Sequence, residues 1–186
     1  MRKTIQIAQP LIGREEIEAV TEVLKCEVLT SKTGDTNYVR KFEETFAKYV
    51  GVKHAVSMNS GTAALHAALM TSEMGDGDEV IVPSFTFTAT AEAVTLVGAK
   101  PVFVDIDPQT YCMDPDSFEE AITSRTQAVI PVHLFGLMAD MERITKIAKE
   151  HNLIVIEDAA QAHGAKLNGR KAGSFGDYGC FSLHGS

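Results

Sequence analysis

The sequence predicts an α/β fold with a mostly parallel sheet, and three observations lead there. Short apolar runs recur after Gly51, helix-period patterns fall between them, and no repeat, low-complexity tract or linker interrupts the series. Before Gly51 the pattern is helical only. Ile12, Ile17, Val20, Val23 and Leu24 recur at helical spacing through Gly13–Cys26, and Phe42, Phe46 and Val50 do so between Thr36 and Gly51. The polar stretch from Thr30 to Asp35 has a loop's composition. Residues 1–50 therefore read as an N-terminal helical arm and 51–186 as the α/β domain. Strands are expected at His54–Met58, Val80–Val82, Pro101–Asp105, Ala128–Val132, Leu153–Glu157 and Tyr178–Leu183. Helices are expected at Gly61–Ser72, Ala89–Val97, Asp116–Thr123 and Met141–Lys149, the third announced by Asp114-Pro115. Strands and helices alternating in this way put helices on both faces of the sheet.

Composition narrows the function classes. The 186 residues are enough for one sizeable core, and 45% hydrophobic with 23% charged residues is ordinary for a globular chain. A net charge of −8 supplies no basic stripe, so no nucleic-acid partner is expected. No apolar run is long enough to cross a bilayer, and the first residues lack the apolar run of a signal peptide. Cys26, Cys112 and Cys180 are too far apart, and odd in number, for a disulfide scaffold or a metal cluster. A soluble, cytoplasmic protein without a metal is the expectation.

Sheets of this kind bind ligands at the carboxyl ends of their strands, which directs attention to four segments. In the run from Met58 to Leu65, Gly61 permits close backbone approach to an anion, Ser60 and Thr62 offer hydroxyls, and a helix N-terminus offers free N–H groups; a plain N-cap reads equally well. The run from Ile154 to Gly164 ends an apolar strand in Glu157 and Asp158, followed by small residues. Asp158 is placed to hold a metal, a ribose hydroxyl or a protonated ring nitrogen, or to cap a helix. Between Pro83 and Thr90, an aromatic among hydroxyl residues offers a stacking surface or a piece of core. From Gly173 to Ser186, glycines permit tight turns, and Ser182 and His184 alternate onto one side of the expected strand.

The sequence contains no G-x-x-x-x-G-K-[ST], G-x-G-x-x-G, H-E-x-x-H, C-x-x-C or G-x-S-x-G. His54, His66, His133, His151, His163 and His184 are scattered without ligand spacing, and His54 and His66 read as structural or exposed. Lys166 and Lys171 flank the polar turn Leu167-Asn168-Gly169-Arg170, which points to solvent exposure for both.

Five segments, in order, carry a resemblance: Ser60-Gly61-Thr62-Ala63-Ala64-Leu65, Pro83-Ser84-Phe85-Thr86-Phe87, Pro131-Val132-His133-Leu134-Phe135-Gly136, the run Glu157–Gly164, and the run Gly176–His184. Together they resemble the DegT/DnrJ/EryC/StrS sugar aminotransferases, pyridoxal-phosphate enzymes of fold type I. The resemblance implies a three-layer α/β/α large domain with a mixed sheet. It implies pyridoxal 5′-phosphate as cofactor, with Gly61, Thr62 and Ser182 at the phosphate, Phe87 stacked on the ring, Asp158 at the ring nitrogen and Gln161 toward the 3-hydroxyl side. Thr30 and His184 are the candidate substrate residues. The implied reaction moves an amino group, from a donor such as glutamate, to a nucleotide-linked keto sugar in amino-sugar or cell-surface polysaccharide synthesis. The family's Schiff-base lysine would stand directly after Ser186, and its smaller C-terminal domain would follow, so the sequence reads as the N-terminal portion of a longer chain. Two other functions stay open at this point. One is a dehydratase of the same family with histidine in place of that lysine, and the other is a non-catalytic regulator on the same fold. A homodimer is expected, with the loop around Thr30–Gly34 helping to complete the partner's site.

Overall fold

The computed structural model describes residues 10–26 and 38–184. They divide into two compact units, the smaller holding the N-terminal helices with residues 53–57 and His184, the larger holding residues 58–183 with residues 50–52.

In the smaller unit, helix α1 (Arg14–Lys25) begins where the Glu16 carboxylate accepts the Gly13 N–H at 2.7 Å. Acids in its first turn and Lys25 in its last agree with the helix dipole. The Tyr38 hydroxyl donates to Glu22 at 2.6 Å, tying helix α2 (Tyr38–Val50) to α1, and Phe42 stacks on Phe46 at 5.4 Å. The expected strand at His54–Met58 does not form among the described residues. The Ser57 N–H and hydroxyl both donate to Glu43, each at 2.8 Å. A strand needs a paired edge to satisfy its backbone, and here a helix carboxylate takes the N–H instead.

The larger unit is built on β1 (Glu79–Pro83), β2 (Lys100–Val104), β3 (Thr126–Val129) and β4 (Ile154–Asp158). An antiparallel ribbon of β5 (Lys166–Leu167) and β6 (Arg170–Lys171) follows, and then β7 (Tyr178–Cys180). The sheet order is β2-β1-β3-β4-β7, and each of these pairings is parallel. The ribbon turns through Asn168 (φ 50°) and Gly169 (φ 83°), the left-handed pair that a two-residue hairpin requires, and Lys166 is exposed while Lys171 is half-buried. The strand expected over Tyr178–Leu183 stops at Cys180, because its partner β4 stops at Asp158 and the Cys180 carbonyl already accepts the Ala159 N–H.

Alternation along the strands sorts the core into two faces. Val80, Val82, Ala128, Ile130 and Ile156 pack with helices α3 (Gly61–Thr71) and α4 (Ala89–Leu96). Ile81, Val129 and Val155 pack with helices α5 (Pro115–Glu120) and α6 (Met141–Glu150). Asp114 caps α5 through the N–H groups of Asp116 and Ser117, with Pro115 at the first helical position, as its sequence predicts. The layers are therefore helix, sheet, helix.

At the amino end of the sheet, the buried Glu79 carboxylate accepts from the Thr123 hydroxyl (2.6 Å), Arg125 (2.8 Å) and Lys100 (3.2 Å). The Thr123 hydrogen bond first, then the Arg125 guanidinium, holds its pKa down to about 2. The opposite edge is less fully paired.

Candidate active site

Helix α3 opens that edge. Ser60 is its N-cap, and its hydroxyl accepts the Ala63 N–H at 3.1 Å, so the capping reading is correct. The cap leaves the N–H groups of Gly61 and Thr62 without a partner among the described residues, so the anion reading stands beside it. Gly61 is packed against Ser182: a Cβ at position 61 would lie 3.0 Å from the Ser182 Cβ. Glycine at 61 lets the chain after β7 lie directly on this helix terminus, and any side chain there would press on Ser182.

Beyond β1, Phe85 pairs with Tyr111 at 5.9 Å, whereas Phe87 is 70% exposed and has no ring partner among the described residues. Phe87 is therefore not core, and one ring face is open for stacking. Asp158 ends β4 on the α3/α4 face. Its Oδ2 accepts from the buried Thr90 hydroxyl at 2.8 Å, and its Oδ1 accepts the Ala160 N–H at 3.2 Å. No helix follows, so Asp158 is not a helix cap. Burial pushes its carboxyl above the ordinary range, opposed by the Thr90 and Ala160 hydrogen bonds and by nearby His133. A buried acid in that condition gains from a cationic partner.

Gln161 lies one turn beyond Asp158. Its Oε1 accepts the N–H of Phe135, leaving the amide nitrogen as its outward donor. Phe135 itself adopts φ 52°, ψ 26°, an uncommon conformation for an aromatic residue, in the short 3-10 turn Leu134–Gly136. Ser182 stands against Gly61 at the phosphate-competent helix end. Thr30 lies outside the described residues, and His184 falls in the smaller unit. The structure thus brings Gly61, Thr62, Ser182 and Asp158 to the ends of neighbouring elements, with Phe87 and Gln161 on loops from the same edge.

Sequence reasoning assigned no role to Glu157, His133 or Thr90. Glu157 alternates with Asp158 onto the α5/α6 face and is fully buried. Its Oε1 accepts the N–H groups of Phe175 (2.6 Å) and Gly176 (2.7 Å), and its Oε2 accepts those of Gly173 (2.8 Å) and His133 Nε2 (2.9 Å). The Ala139 N–H donates to His133 Nδ1 at 3.2 Å, which leaves the ring proton on Nε2. Gly173 (φ 78°) starts this loop, where a Cβ would lie 2.4 Å from the Phe181 ring. That ring also pairs with His163 at 5.3 Å. The period-two alternation of β4 was the available signal for Glu157, since it sends adjacent acids to opposite faces.

The donor set fits pyridoxal 5′-phosphate. Among the described residues there are N–H groups without a partner at the start of an eleven-residue helix, a neighbouring hydroxyl, an open aromatic face and a buried carboxylate with two hydrogen-bond donors. Comparison with known proteins agrees. The model of the DegT/DnrJ/EryC1/StrS aminotransferase family matches residues 10–186. The GDP-perosamine synthase of Caulobacter vibrioides is 47% identical over 182 residues, which is 98% of this chain and 48% of that protein. The UDP-N-acetyl-3-dehydro-alpha-D-glucosamine 3-aminotransferase of Acidithiobacillus ferrooxidans is 58% identical over 147 residues, 79% of this chain and 40% of that one. Among solved structures, a putative sugar aminotransferase of Streptococcus pneumoniae in its PMP form superposes with TM-score 0.92 at 35% identity, covering 98% of this chain and 49% of its own. An aminotransferase from Psychrobacter cryohalolentis gives TM-score 0.87 at 42% identity, covering 90% and 42%. The chain spans about half the length of the curated relatives it matches.

Proposed function

The chain belongs to the DegT/DnrJ/EryC1/StrS aminotransferase family, and from that premise we propose that it forms the cofactor-binding part of a pyridoxal-phosphate-dependent sugar aminotransferase. The substrate is a keto sugar on a nucleotide carrier, in line with a UDP-linked 3-dehydro sugar in one relative's name and a GDP-linked sugar in another's, and the amino donor is an amino acid such as glutamate. The observation that carries the reading is Asp158, a buried carboxylate at a strand's carboxyl end, held by Thr90 and Ala160 with lone pairs to spare.

When bound, pyridoxal 5′-phosphate supplies an electron sink through its protonated ring. Asp158 holds that proton on the ring nitrogen, because an ionised carboxylate in a desolvated setting strongly favours a cation beside it. The Gly61 and Thr62 N–H groups and the Ser182 hydroxyl receive the phosphate. The helix terminus contributes up to about 2 kcal/mol and each charge-assisted hydrogen bond about 1.5–3 kcal/mol. Phe87 covers one ring face and excludes water from it. Gln161 presents its amide nitrogen toward the ring hydroxyl, its oxygen being taken by Phe135.

Two measurements on the full-length protein test this. Added pyridoxal phosphate should produce a visible absorption band that bleaches with glutamate. Asp158→Asn should keep the fold yet lose about a hundredfold or more in turnover, ~2.7 kcal/mol of barrier. Near-normal turnover in that variant removes Asp158 from the role. A cytoplasmic homodimer completes the proposal. Its support is the row of exposed Ile17, Val20 and Leu24 along α1, and sedimentation velocity of the full-length protein checks it.

A further inference from the structure

Five threonines that lie beyond the first turn of their helices share one habit. Thr21, Thr45, Thr71, Thr95 and Thr145 all donate to a backbone carbonyl one turn earlier. That local bond costs nothing in tertiary packing, and it is where a threonine hydroxyl in a helix goes when nothing else claims it. Thr90, the second residue of α4, has no carbonyl of its own helix one turn earlier to take its proton, so a partner must come from elsewhere. It stands in the first turn of α4 with no solvent exposure, and its hydroxyl reaches the carboxylate of Asp158, 68 residues further along the chain, at 2.8 Å. The Thr86 hydroxyl lies behind it at 3.4 Å. An ionised carboxylate only accepts, so Thr90 must spend its one proton on Asp158, and Thr86 then donates to Thr90. The order of the three groups is set by the charge at one end.

We propose that Thr90 is a positioning residue of the site, whose buried hydroxyl pins Asp158 Oδ2 and so aims the remaining lone pairs of the carboxylate at the cationic ring of the cofactor. This rests on the reading of Asp158 as the ring-nitrogen partner. Two anchors fix a carboxylate in its plane: the Ala160 N–H on Oδ1 and the Thr90 hydroxyl on Oδ2. Remove the second and the group keeps one anchor, free to rotate about Cβ–Cγ, while its buried charge loses a donor. The titratable groups near Asp158 are His133, whose N–H bonds its carbonyl, Cys180 across the strand pairing, and the adjacent Glu157. None of their side chains donates to its carboxylate among the described residues. Thr90 is the side chain on which the aim depends.

Thr90→Val keeps the shape and deletes the hydroxyl; Thr90→Ser keeps the hydroxyl. Both are compared with Asp158→Asn in the full-length, cofactor-loaded protein. Thr90→Val should lower kcat about ten- to a hundredfold, the loss of one hydrogen bond to a charged group, with KM for the amino donor within about threefold. It should also release cofactor faster on dialysis, and it should move the acid limb of the pH–rate profile to higher pH, because the unsupported carboxylate takes up a proton more readily. Thr90→Ser should restore all three readouts to within about threefold of the parent. Wild-type kcat, retention and pH profile in Thr90→Val overturn the proposal. So does a Thr90→Ser variant as impaired as Thr90→Val, which would indicate packing alone. If Thr90→Val does not fold, Thr90→Ala against Thr90→Ser carries the same contrast. Full turnover in Asp158→Asn would defeat the parent reading and the proposal together, whereas a dead Asp158→Asn beside a normal Thr90→Val defeats the proposal only.

Discussion

Glu157 and Asp158 are neighbours on one strand, both acids, both buried, and they do different work. Glu157 faces α5 and α6 and meets four fixed donors: three backbone N–H groups of the 173–176 loop and His133 Nε2. Asp158 faces α3 and α4 and meets two, one of them a hydroxyl free to rotate. A carboxylate has about four lone-pair sites. Glu157 has used them to lock the chain that leads into β7 and Ser182, and Asp158 has kept some in reserve. Saturation distinguishes the two acids, and burial does not; the unsaturated one is the acid proposed to meet the cofactor.

The contrast is sharpest when each acid is replaced by its amide. Glu157→Gln puts an NH2 opposite two N–H donors that cannot turn round, since the loop amides are fixed and the Ala139 bond holds the His133 proton on Nε2. Each unmatched buried donor costs about 1–3 kcal/mol, so a loss of roughly 2–6 kcal/mol in urea unfolding is expected for the two, together with weakened cofactor retention. A loss below about 1 kcal/mol would mean that the loop is held by something other than this carboxylate.

Asp158→Asn should behave in the opposite sense in the cofactor-free protein. The Thr90 hydroxyl can turn to accept from the new NH2, while the Ala160 N–H keeps its oxygen. The sign follows from linkage. The folded-state pKa of Asp158 is raised, so the folded protein binds more protons than the unfolded one through the acid range, and ionising this group at neutral pH opposes folding. The amide removes that penalty, so cofactor-free Asp158→Asn should unfold no more easily than the parent at pH 7, and its relative gain should disappear as pH falls below the unfolded carboxyl pKa. Thermal melts at neutral and acid pH decide this, and clear destabilisation at pH 7 would end the comparison.

The smallest effect belongs to a third acid. Glu79 resembles Glu157 in being matched by its donors, but it lies at the amino edge of the sheet, where Arg125 and Lys100 are largely exposed. Its folded pKa is depressed to about 2. Its contribution is therefore present above the unfolded value near 4.5 and is lost as pH falls from there toward 2. Glu79→Gln should flatten the fall in melting temperature over that window and leave cofactor binding unchanged.

Much of the fold was legible because period and punctuation are local. Asp114-Pro115 announced α5, and apolar runs announced β1, β2 and β4 within one residue, while β3 (Thr126–Val129) starts two residues before and ends three before the run at Ala128–Val132. Two strands were misjudged for one reason. His54–Met58 has the apolar run without a pairing edge, and Tyr178–Leu183 outlasts its partner, so each had the composition of a strand without the second chain that completes one. The proposed site was legible at Gly61, Thr62 and Asp158 as positions, since helix start and strand end are local features. Thr90 stayed silent because its meaning lies 68 residues away.

The sequence by itself determined the α/β alternation and the family, and it placed the proposed site residues at helix starts and strand ends, because each follows from residues close together in the chain. Only the tertiary structure decided which of two adjacent acids is saturated, that Ser182 packs tightly on Gly61, and that the Thr90 hydroxyl meets a carboxylate 68 residues away. Those facts depend on distances between segments that the chain brings together only after the layers have packed. Hydrogen bonds and close contacts fall off within an ångström or so, and no pattern along the chain records separations that fine.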